Sequence, residues 1–94
     1  MNKEKLVDEI KILFEIMYLP VAIANNRYSG EDFIKVGVDI MRESKRNNVF
    51  DEHKYLIANT LIDEFDEKIT PKLNKEQKDN LAYILTGKST FIKI

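Results

Sequence analysis

The sequence predicts a single all-α domain, residues 1–94, folded as an antiparallel four-helix bundle with a short C-terminal tail. Apolar residues recur at intervals of three and four along four segments, which is the spacing of one helix face. Residues that cap helix starts precede three of these segments. Ninety-four residues suffice for one modest core. The short connections favour antiparallel packing of neighbouring helices.

The first helix is predicted from about Lys3 to Ala24. Its apolar face is a stripe of five residues: Leu6, Ile10, Leu13, Met17 and Val21. Four further residues widen this face, so we expect the first helix to be the most buried: Ile12, Phe14, Ile16 and Leu19. Pro20 removes one backbone hydrogen bond, which predicts a kink near residues 16–19 or a break followed by a second helical piece. Asn25 and Asn26 end the helix.

The second helix is predicted to begin after Ser29. Ser29 and Asp32 nearly form a capping box, in which each side chain satisfies a backbone donor. Tyr28 and Phe33 occupy the positions of a hydrophobic staple across this helix start. The inner stripe has four members: Phe33, Val36, Ile40 and Met41. Gly37 lies within it as a point where a second helix could pack closely.

The third helix is predicted to begin after Asp51 as the cap, with Phe50 and Tyr55 in the staple positions. Its apolar stripe steps by 3, 4, 3 and 4: Tyr55, Ala58, Ile62, Phe65 and Ile69. Its outer face carries an acidic run: Asp63, Glu64, Asp66 and Glu67.

The fourth helix is predicted to begin after Asn74, whose capping partner is Gln77. Thr70-Pro71 could instead open a preliminary turn, because proline is favoured at the first helical position. The inner face has three members: Leu81, Ile84 and Leu85. Gly87 stands where a glycine commonly ends a helix. The remaining segment, 88–94, is too short for another helix.

Composition favours a soluble cytoplasmic protein. Apolar residues make up 44% and charged residues 33% of the chain, and the formal net charge is −1. There is no cysteine, which excludes disulfides, thiolate metal sites and a cysteine nucleophile. The N-terminal sequence lacks the apolar stretch of a signal peptide. The longest nearly apolar run, residues 16–24, is shorter than the roughly 20 residues that span a membrane.

The stretch LTGKST, residues 85–90, ends like a nucleotide-binding Walker A loop. That loop requires a glycine five residues before Gly87, and this position is Ala82. It must also follow a strand and open a helix whose N-terminal amides bind the phosphates. Here a predicted helix precedes Gly87, so we interpret the glycine as a helix cap and expect no nucleotide cofactor.

The other candidates for chemistry predict neither a metal site nor an enzyme. His53 is the only histidine, and we expect it to be an exposed first-turn residue. A metal site needs several converging ligands. Adjacent helical positions point about 100° apart, so the acidic run fans around a surface. We therefore interpret it as a solvated face, with an acidic patch for a basic partner as the alternative.

A basic cluster at the end of the second helix consists of Arg42, Lys45 and Arg46. The helix dipole favours positive charge there, which is the simpler explanation. The alternative is a phosphate-contacting part of a helix-turn-helix formed by helices 2 and 3. The third helix would then be the recognition helix, but its acidic residues would repel the DNA backbone. We therefore expect no nucleic-acid partner.

The tail ends in TFIKI, in which three of the last four residues are apolar: Phe91, Ile92 and Ile94. Termini are usually polar and loose. These side chains could cover the bundle or present themselves to a partner. Together with Tyr83, they exceed what the fourth helix needs for its inner face. We therefore predict a protein-binding site at Tyr83, Phe91, Ile92 and Ile94.

Two stretches, DFIKVGVDIMRESKRNN and HKYLIANTLIDEFDEKITPKLNKEQKDNLAYIL, cover about residues 32–85. Their order of apolar helix, basic polar turn, long helix and Asn-capped helix entry resembles the immunity proteins for pediocin-like bacteriocins. The resemblance implies an antiparallel four-helix bundle in the cytoplasm of a Gram-positive bacterium. It also implies protection of the producer by binding a bacteriocin–receptor complex at the membrane, with specificity in the C-terminal half.

The sequence therefore predicts a non-enzymatic protein that binds another protein, without a cofactor. Bacteriocin immunity is the first hypothesis. An inhibitor encoded by a phage or mobile element, which binds a host protein, is the alternative, and a small DNA-binding regulator is the second alternative.

Overall fold

The chain forms four α-helices in the computed structural model, which describes residues 3–46 and 50–87. Helix α1 spans Lys3–Asn25, α2 Gly30–Arg46, α3 Phe50–Asp66 and α4 Lys75–Leu85. No strand occurs in the described residues. The predicted all-α four-helix bundle is confirmed.

Helices α2 and α3 form the centre of the bundle. Helix α1 packs against both of them on one side, and α4 packs against both on the other. Within the described residues, α1 and α4 do not contact each other. Each outer helix therefore covers the central pair with one face and turns another face away from the core.

The buried face of α1 is a stripe of residues four positions apart: Leu6, Ile10, Phe14, Tyr18 and Ala22. The predicted stripe members Leu13, Met17 and Val21 are only partly buried at its edge. The expectation that Ile12 and Ile16 widen the buried face is wrong, because they are 59% and 64% exposed. At 100° per residue, both point about 160° away from the mean direction of the buried stripe.

Four aromatic rings join α1, α2 and α3 in the core. Phe33 stacks on Phe65 with ring centroids 4.5 Å apart, and Phe14 stacks on Tyr18 at 5.0 Å. Tyr18 meets Phe33 and Phe65 edge to face. Its hydroxyl donates a hydrogen bond to the Ser29 carbonyl at 3.1 Å. Burial raises the pKa of Tyr18 to about 12, so its hydroxyl stays a neutral donor.

Helix α1 continues through Pro20. The predicted alternative of a break with a second helical piece is therefore wrong. Proline has no N–H to donate to the carbonyl one turn earlier. Pro20 is exposed, so its ring and the bond that it removes lie on the outer side of the helix, where water can hydrate the carbonyl.

Helix α1 ends at the predicted asparagines, and its end is a Schellman motif. Asn26 adopts a left-handed conformation with φ 55°. The N–H of Asn26 donates to the Ile23 carbonyl at 3.1 Å, and that of Arg27 donates to the Ala22 carbonyl at 3.0 Å. These two bonds satisfy carbonyls that the helix end would otherwise leave without partners.

The Ser29 half of the predicted capping box of α2 is confirmed, since the Asp32 N–H donates to Ser29 Oγ at 3.4 Å. The Asp32 carboxylate accepts a hydrogen bond from the Asn25 side chain at 2.8 Å, which ties α2 to the end of α1. Gly37 is the predicted point of close packing. A Cβ atom there would come within 2.6 Å of Cδ2 of Leu85, so glycine lets α4 approach α2.

Helix α3 begins at Phe50, so Asp51 lies inside the helix and does not precede it. The side chains of Phe50 and Asp51 lie outside the described residues. His53 has non-helical dihedral angles, φ −123° and ψ 17°, which kink the helix there. This kink was not predicted from the sequence.

The core face of α3 has five members: Ile57, Ala58, Leu61, Ile62 and Phe65. The prediction that Tyr55 belongs to this face is wrong, because Tyr55 is 43% exposed. At 100° per residue, Tyr55 points about 90° from the mean direction of the five. Ile69 packs against the core from beyond the end of α3.

Helix α4 has the predicted capping box. The Gln77 N–H donates to Asn74 Oδ1 at 2.8 Å, and the Asn74 N–H donates to Gln77 Oε1 at 2.9 Å. Gly87 adopts φ 85° and donates its N–H to the Ile84 carbonyl, as a helix-terminal glycine does. Leu85 is buried, and the other two predicted inner residues are half-buried. The Thr70–Pro71 segment lies in the connection and forms no preliminary helical turn.

Candidate protein-binding surfaces

Residues 85–87, the described part of the stretch LTGKST, form a helix end. Helix α4 stops at Leu85, and Gly87 continues the chain from its carboxyl end. Carbonyl oxygens, not amide hydrogens, point out of that end, and they carry the negative pole of the helix dipole. The geometry around Gly87 is therefore that of a cap.

His53 is half-buried at the kink of α3, so the expectation of an exposed first-turn residue is wrong. Among the side chains that the structure describes, those of residues 3–46 and 53–87, no group of three or more histidine, aspartate or glutamate residues is placed to hold a metal ion.

Asp66, in the acidic run of α3, fastens the connection to α4. Its carboxylate accepts a hydrogen bond from the Leu73 N–H at 2.7 Å and lies 3.6 Å from the Lys78 ammonium. The Lys72 ammonium donates to the Asp66 carbonyl at 2.7 Å. The Leu73 hydrogen bond, and then the nearby lysines, lower the pKa of Asp66. This carboxylate thus has a structural role.

Glu64, two positions earlier, is half-buried and lies within electrostatic range of Lys11 and Glu15 on α1. Burial raises the pKa of Glu64, and Glu67 raises it further, while Lys11 of α1 and Lys68 oppose the rise. Asp63 and Glu67 are exposed. The four acidic residues therefore do not form one site. Glu64 lies toward α1, Asp66 lies at the boundary with α4, and Asp63 and Glu67 are exposed to solvent.

The basic cluster at the end of α2 is compensated on its own helix. Arg42 pairs with Asp39 and Arg46 pairs with Glu43, each at 3.0 Å between nitrogen and oxygen. The arginine side chains are 65% and 68% exposed. Pairs this exposed contribute little to stability, so the guanidinium groups can exchange these partners for others.

One surface beside this cluster surrounds the end of α4. An open cleft of about 400 Å³ is lined by the apolar residues Val38, Met41 and Leu85 and by the basic residues Arg42 and Lys45. Met41 and Leu85 are each only 3% exposed, so Val38 offers most of the apolar lining. Gly87 also lines the cleft.

Tyr83, the predicted binding residue on α4, is 44% exposed. It lies two positions before Leu85, which lines the cleft, so at 100° per residue the two side chains point about 160° apart. Tyr83 is therefore on another side of α4 and does not line the cleft. The other three predicted binding residues, Phe91, Ile92 and Ile94, lie outside the described residues.

The second surface is an apolar stripe on the outer side of α1, which we call the outer seam: Ile12, Ile16, Leu19 and Ile23. The three isoleucines are 59%, 64% and 76% exposed, and Leu19 is half-buried. Sequence reasoning missed this surface because it assigned Ile12, Ile16 and Leu19 to the buried face. The signal was present, because two separate stripes of helical spacing on one helix exceed what one core face needs.

None of the helices in the described part of the chain combines the length and the apolarity needed to cross a membrane.

The chain matches no protein-family model, and comparison with curated proteins and with solved structures yields no match either.

Proposed function

We propose that this chain acts without chemistry of its own, by binding another protein at the end of α4. The observation that carries the proposal is the cleft at the end of α4, where apolar residues and the cations Arg42 and Lys45 line one opening. The tail follows Gly87 directly, and three of its last four residues are apolar. The cleft therefore combines apolar lining with an exposed arginine that can exchange its partner, and Tyr83 offers an exposed aromatic side chain elsewhere on α4.

These components are those from which protein interfaces obtain most of their affinity. Tyrosine and arginine are enriched among the residues whose truncation weakens binding most. Arg42 keeps its carboxylate partner in the isolated chain, so it does not lie at the surface as an uncompensated charge. A partner with an acidic group next to an apolar one would satisfy both sides of the cleft.

The biological role that we propose is protection of a bacterial producer cell, as in the immunity proteins for pediocin-like bacteriocins. The support is the resemblance of residues 32–85 to that family, together with a helical fold of the kind that the resemblance implies. Fold class alone does not determine function, so the role needs a direct test in cells.

The test is expression of the chain in a sensitive low-G+C Gram-positive strain, followed by challenge with a panel of pediocin-like bacteriocins. We expect survival with the wild type and reduced survival with Tyr83→Ala or with deletion of residues 91–94. Tyr55→Ala is the matched control, because Tyr55 is 43% exposed against 44% for Tyr83 but lies on α3. It should protect as the wild type does.

Loss of protection must be separated from loss of folding. Each variant should therefore be compared with the wild type in thermal unfolding followed by circular dichroism. Unchanged unfolding with lost protection supports the proposal. If the wild type protects against none of the bacteriocins in the panel, the immunity role is contradicted. The host-protein inhibitor is then the hypothesis to test.

A further inference from the structure

The outer seam of α1 is an apolar surface that the core does not use. The core stripe of α1 is complete without it, since all five of its members are at most 4% exposed. The seam residues follow one another at intervals of 4, 3 and 4, so they form one line along the helix. At 1.5 Å per residue, this line is about 17 Å long. Single exposed apolar residues are common, whereas an aligned row of four marks a contact surface.

We propose that the outer seam binds a second copy of this chain, with the two α1 helices antiparallel. The intervals 4, 3 and 4 read the same in both directions. In an antiparallel pair, Ile12 therefore lies opposite Ile23 of the second copy, and Ile16 lies opposite Leu19. A two-fold symmetric contact requires such a self-complementary surface. This inference goes beyond the proposed function, because it uses the side of the bundle opposite α4.

The charges at the two ends of the seam determine the direction. Lys5 and Glu9 continue the line toward the helix start, and both are exposed. A parallel pair would place Lys5 beside Lys5 and Glu9 beside Glu9, and like charges in contact oppose association. An antiparallel pair instead brings the acidic residues Asp8 and Glu9 near Arg27, which follows the end of α1 in the second copy. Opposite charges then meet at both ends of the seam.

A lipid surface fits the seam less well. Helices that lie on membranes usually carry lysine and arginine on the polar face. Helix α1 has three lysines, at positions 3, 5 and 11, against four acidic residues, at positions 4, 8, 9 and 15. Its charge balance is therefore negative, which anionic lipids repel. A second helix of mixed charge is the better occupant.

The size of the contact predicts a dimer that dissociates on dilution. Stable complexes typically bury about 800 Å² on each partner. One row of four side chains on a single outer helix offers less than this, although outer helices can approach to the usual 8–10 Å between axes. We therefore expect monomer at low micromolar concentration and dimer near millimolar concentration.

Sedimentation equilibrium of the full chain between about 10 μM and 1 mM tests the association, because this range brackets the expected change from monomer to dimer. We expect Ile16→Glu to be monomeric throughout the range and Tyr55→Glu to dimerise as the wild type does. Both replaced side chains are exposed, at 64% and 43%, so both variants should keep their helical circular dichroism. A wild type that stays monomeric at every concentration, or a dimer that survives Ile16→Glu, would overturn the proposal.

Cross-linking tests the direction, because the chain contains no cysteine of its own. A ¹⁵N-labelled Ile12→Cys chain is mixed with an unlabelled Ile23→Cys chain and oxidised, and the disulfide-linked dimers are weighed by intact mass spectrometry. Because random pairing of equal amounts already gives half mixed dimer, antiparallel pairing predicts that the mixed dimer exceeds the two self-linked dimers combined. A parallel pair predicts self-linked dimers in excess, and that result would overturn the antiparallel arrangement. The same mixture with Tyr55→Cys replacing Ile23→Cys gives the background of random collision.

Discussion

Helices α1 and α4 are both outer helices on the same central pair, yet different interactions hold them in place. Helix α1 has 23 residues and buries five of them, including two aromatic rings. Helix α4 has 11 residues, of which Leu85 is the buried one, and it depends on a capping box and on contacts with Asp66. Thus apolar burial is larger at α1, whereas the capping box and Asp66 contribute a larger share at α4, beside the apolar contacts of Leu81, Ala82 and Leu85.

This difference also separates the outer surfaces of the two helices. Helix α1 has apolar side chains left over after its core stripe is complete, and they form the outer seam. Helix α4 has Tyr83 as its large exposed apolar residue. An outer helix with a second apolar stripe offers more than the core needs, and the excess indicates a contact with another molecule.

The largest expected effect is within α1 itself. Phe14→Ala empties a site that is fully buried, and such truncations cost about 3–5 kcal/mol of unfolding free energy. Ile16→Ala, two positions away and 64% exposed, should change it by less than about 0.5 kcal/mol. Urea unfolding at a concentration where the chain is monomeric measures both.

If Phe14→Ala does not fold, Phe14→Leu keeps an apolar side chain there and should give a smaller, measurable loss. Equal losses for the Phe14 and Ile16 variants would show that α1 does not have one buried and one exposed stripe.

The second prediction concerns the cap of α4. Asn74→Ala removes the acceptor of the Gln77 N–H, and loss of such a cap costs about 1 kcal/mol. Asn80→Ala is the matched control, because Asn80 is an exposed residue in the middle of α4. It should leave stability unchanged or slightly raised, since alanine is the best helix former. A cap variant as stable as the control would mean that α4 is held by burial after all.

Local signals in the sequence predicted the helix ends well. The caps at Ser29 and Asn74, the end of α1 at Asn26 and the terminal glycine at position 87 are all confirmed. Each depends on hydrogen bonds within a few residues, so the neighbouring sequence contains the necessary information. Gly37 was also predicted correctly, although its partner Leu85 could not be identified before α4 was placed.

The faces of the helices were predicted less well, because a face is defined by what packs against it. Ile12 and Ile16 have the spacing of a core stripe, but α1 contacts helices on one side only. Tyr55 has the spacing of the α3 stripe and lies at its edge. Apolar periodicity shows that a face exists and does not show whether this chain or another molecule covers it. For the candidate site, the sequence supplied Tyr83, and the structure supplied the cleft and the outer seam.

The third prediction concerns Asp66, at the boundary between α3 and α4. Its pKa is lowered in the folded chain, so its stabilising contribution is present above the unfolded value of about 3.9 and is lost as the pH falls through the folded value. Asp66→Asn keeps an acceptor for the Leu73 N–H but removes the charge. It should therefore destabilise less than Asn74→Ala at pH 7.

The difference in stability between the wild type and Asp66→Asn should shrink as the pH falls below about 3.9, the pKa of an aspartate in the unfolded chain. Thermal unfolding at several pH values around this pKa measures the difference. Asp63→Asn is the control, because Asp63 is 68% exposed and 3.9 Å from Lys78. A pH-independent difference for Asp66→Asn would mean that the negative charge contributes nothing at this boundary.

The smallest expected effect is at Glu64, which lies toward α1 on the same helix. Its pKa is raised, so the folded chain favours the protonated form, and the penalty for ionisation appears as the pH rises through the folded value. Glu64→Gln should then stabilise the chain at pH 7 by less than about 0.5 kcal/mol, and the gain should vanish at low pH. Thermal unfolding at pH 7 should therefore show a small gain in stability for Glu64→Gln and a loss for Asp66→Asn.

A second variant separates the two causes of the raised pKa. Burial is the larger cause and the charge of Glu67 is the next, so Glu67→Gln should lower the pKa of Glu64 only part of the way to its ordinary value. Titration followed by NMR at the Glu64 carboxyl carbon measures it directly. A full return to the ordinary value would mean that α1 does not bury this carboxyl group. In that case, the boundary with α1 would be electrostatic like the boundary with α4, and the contrast between the two outer helices would fail at this position.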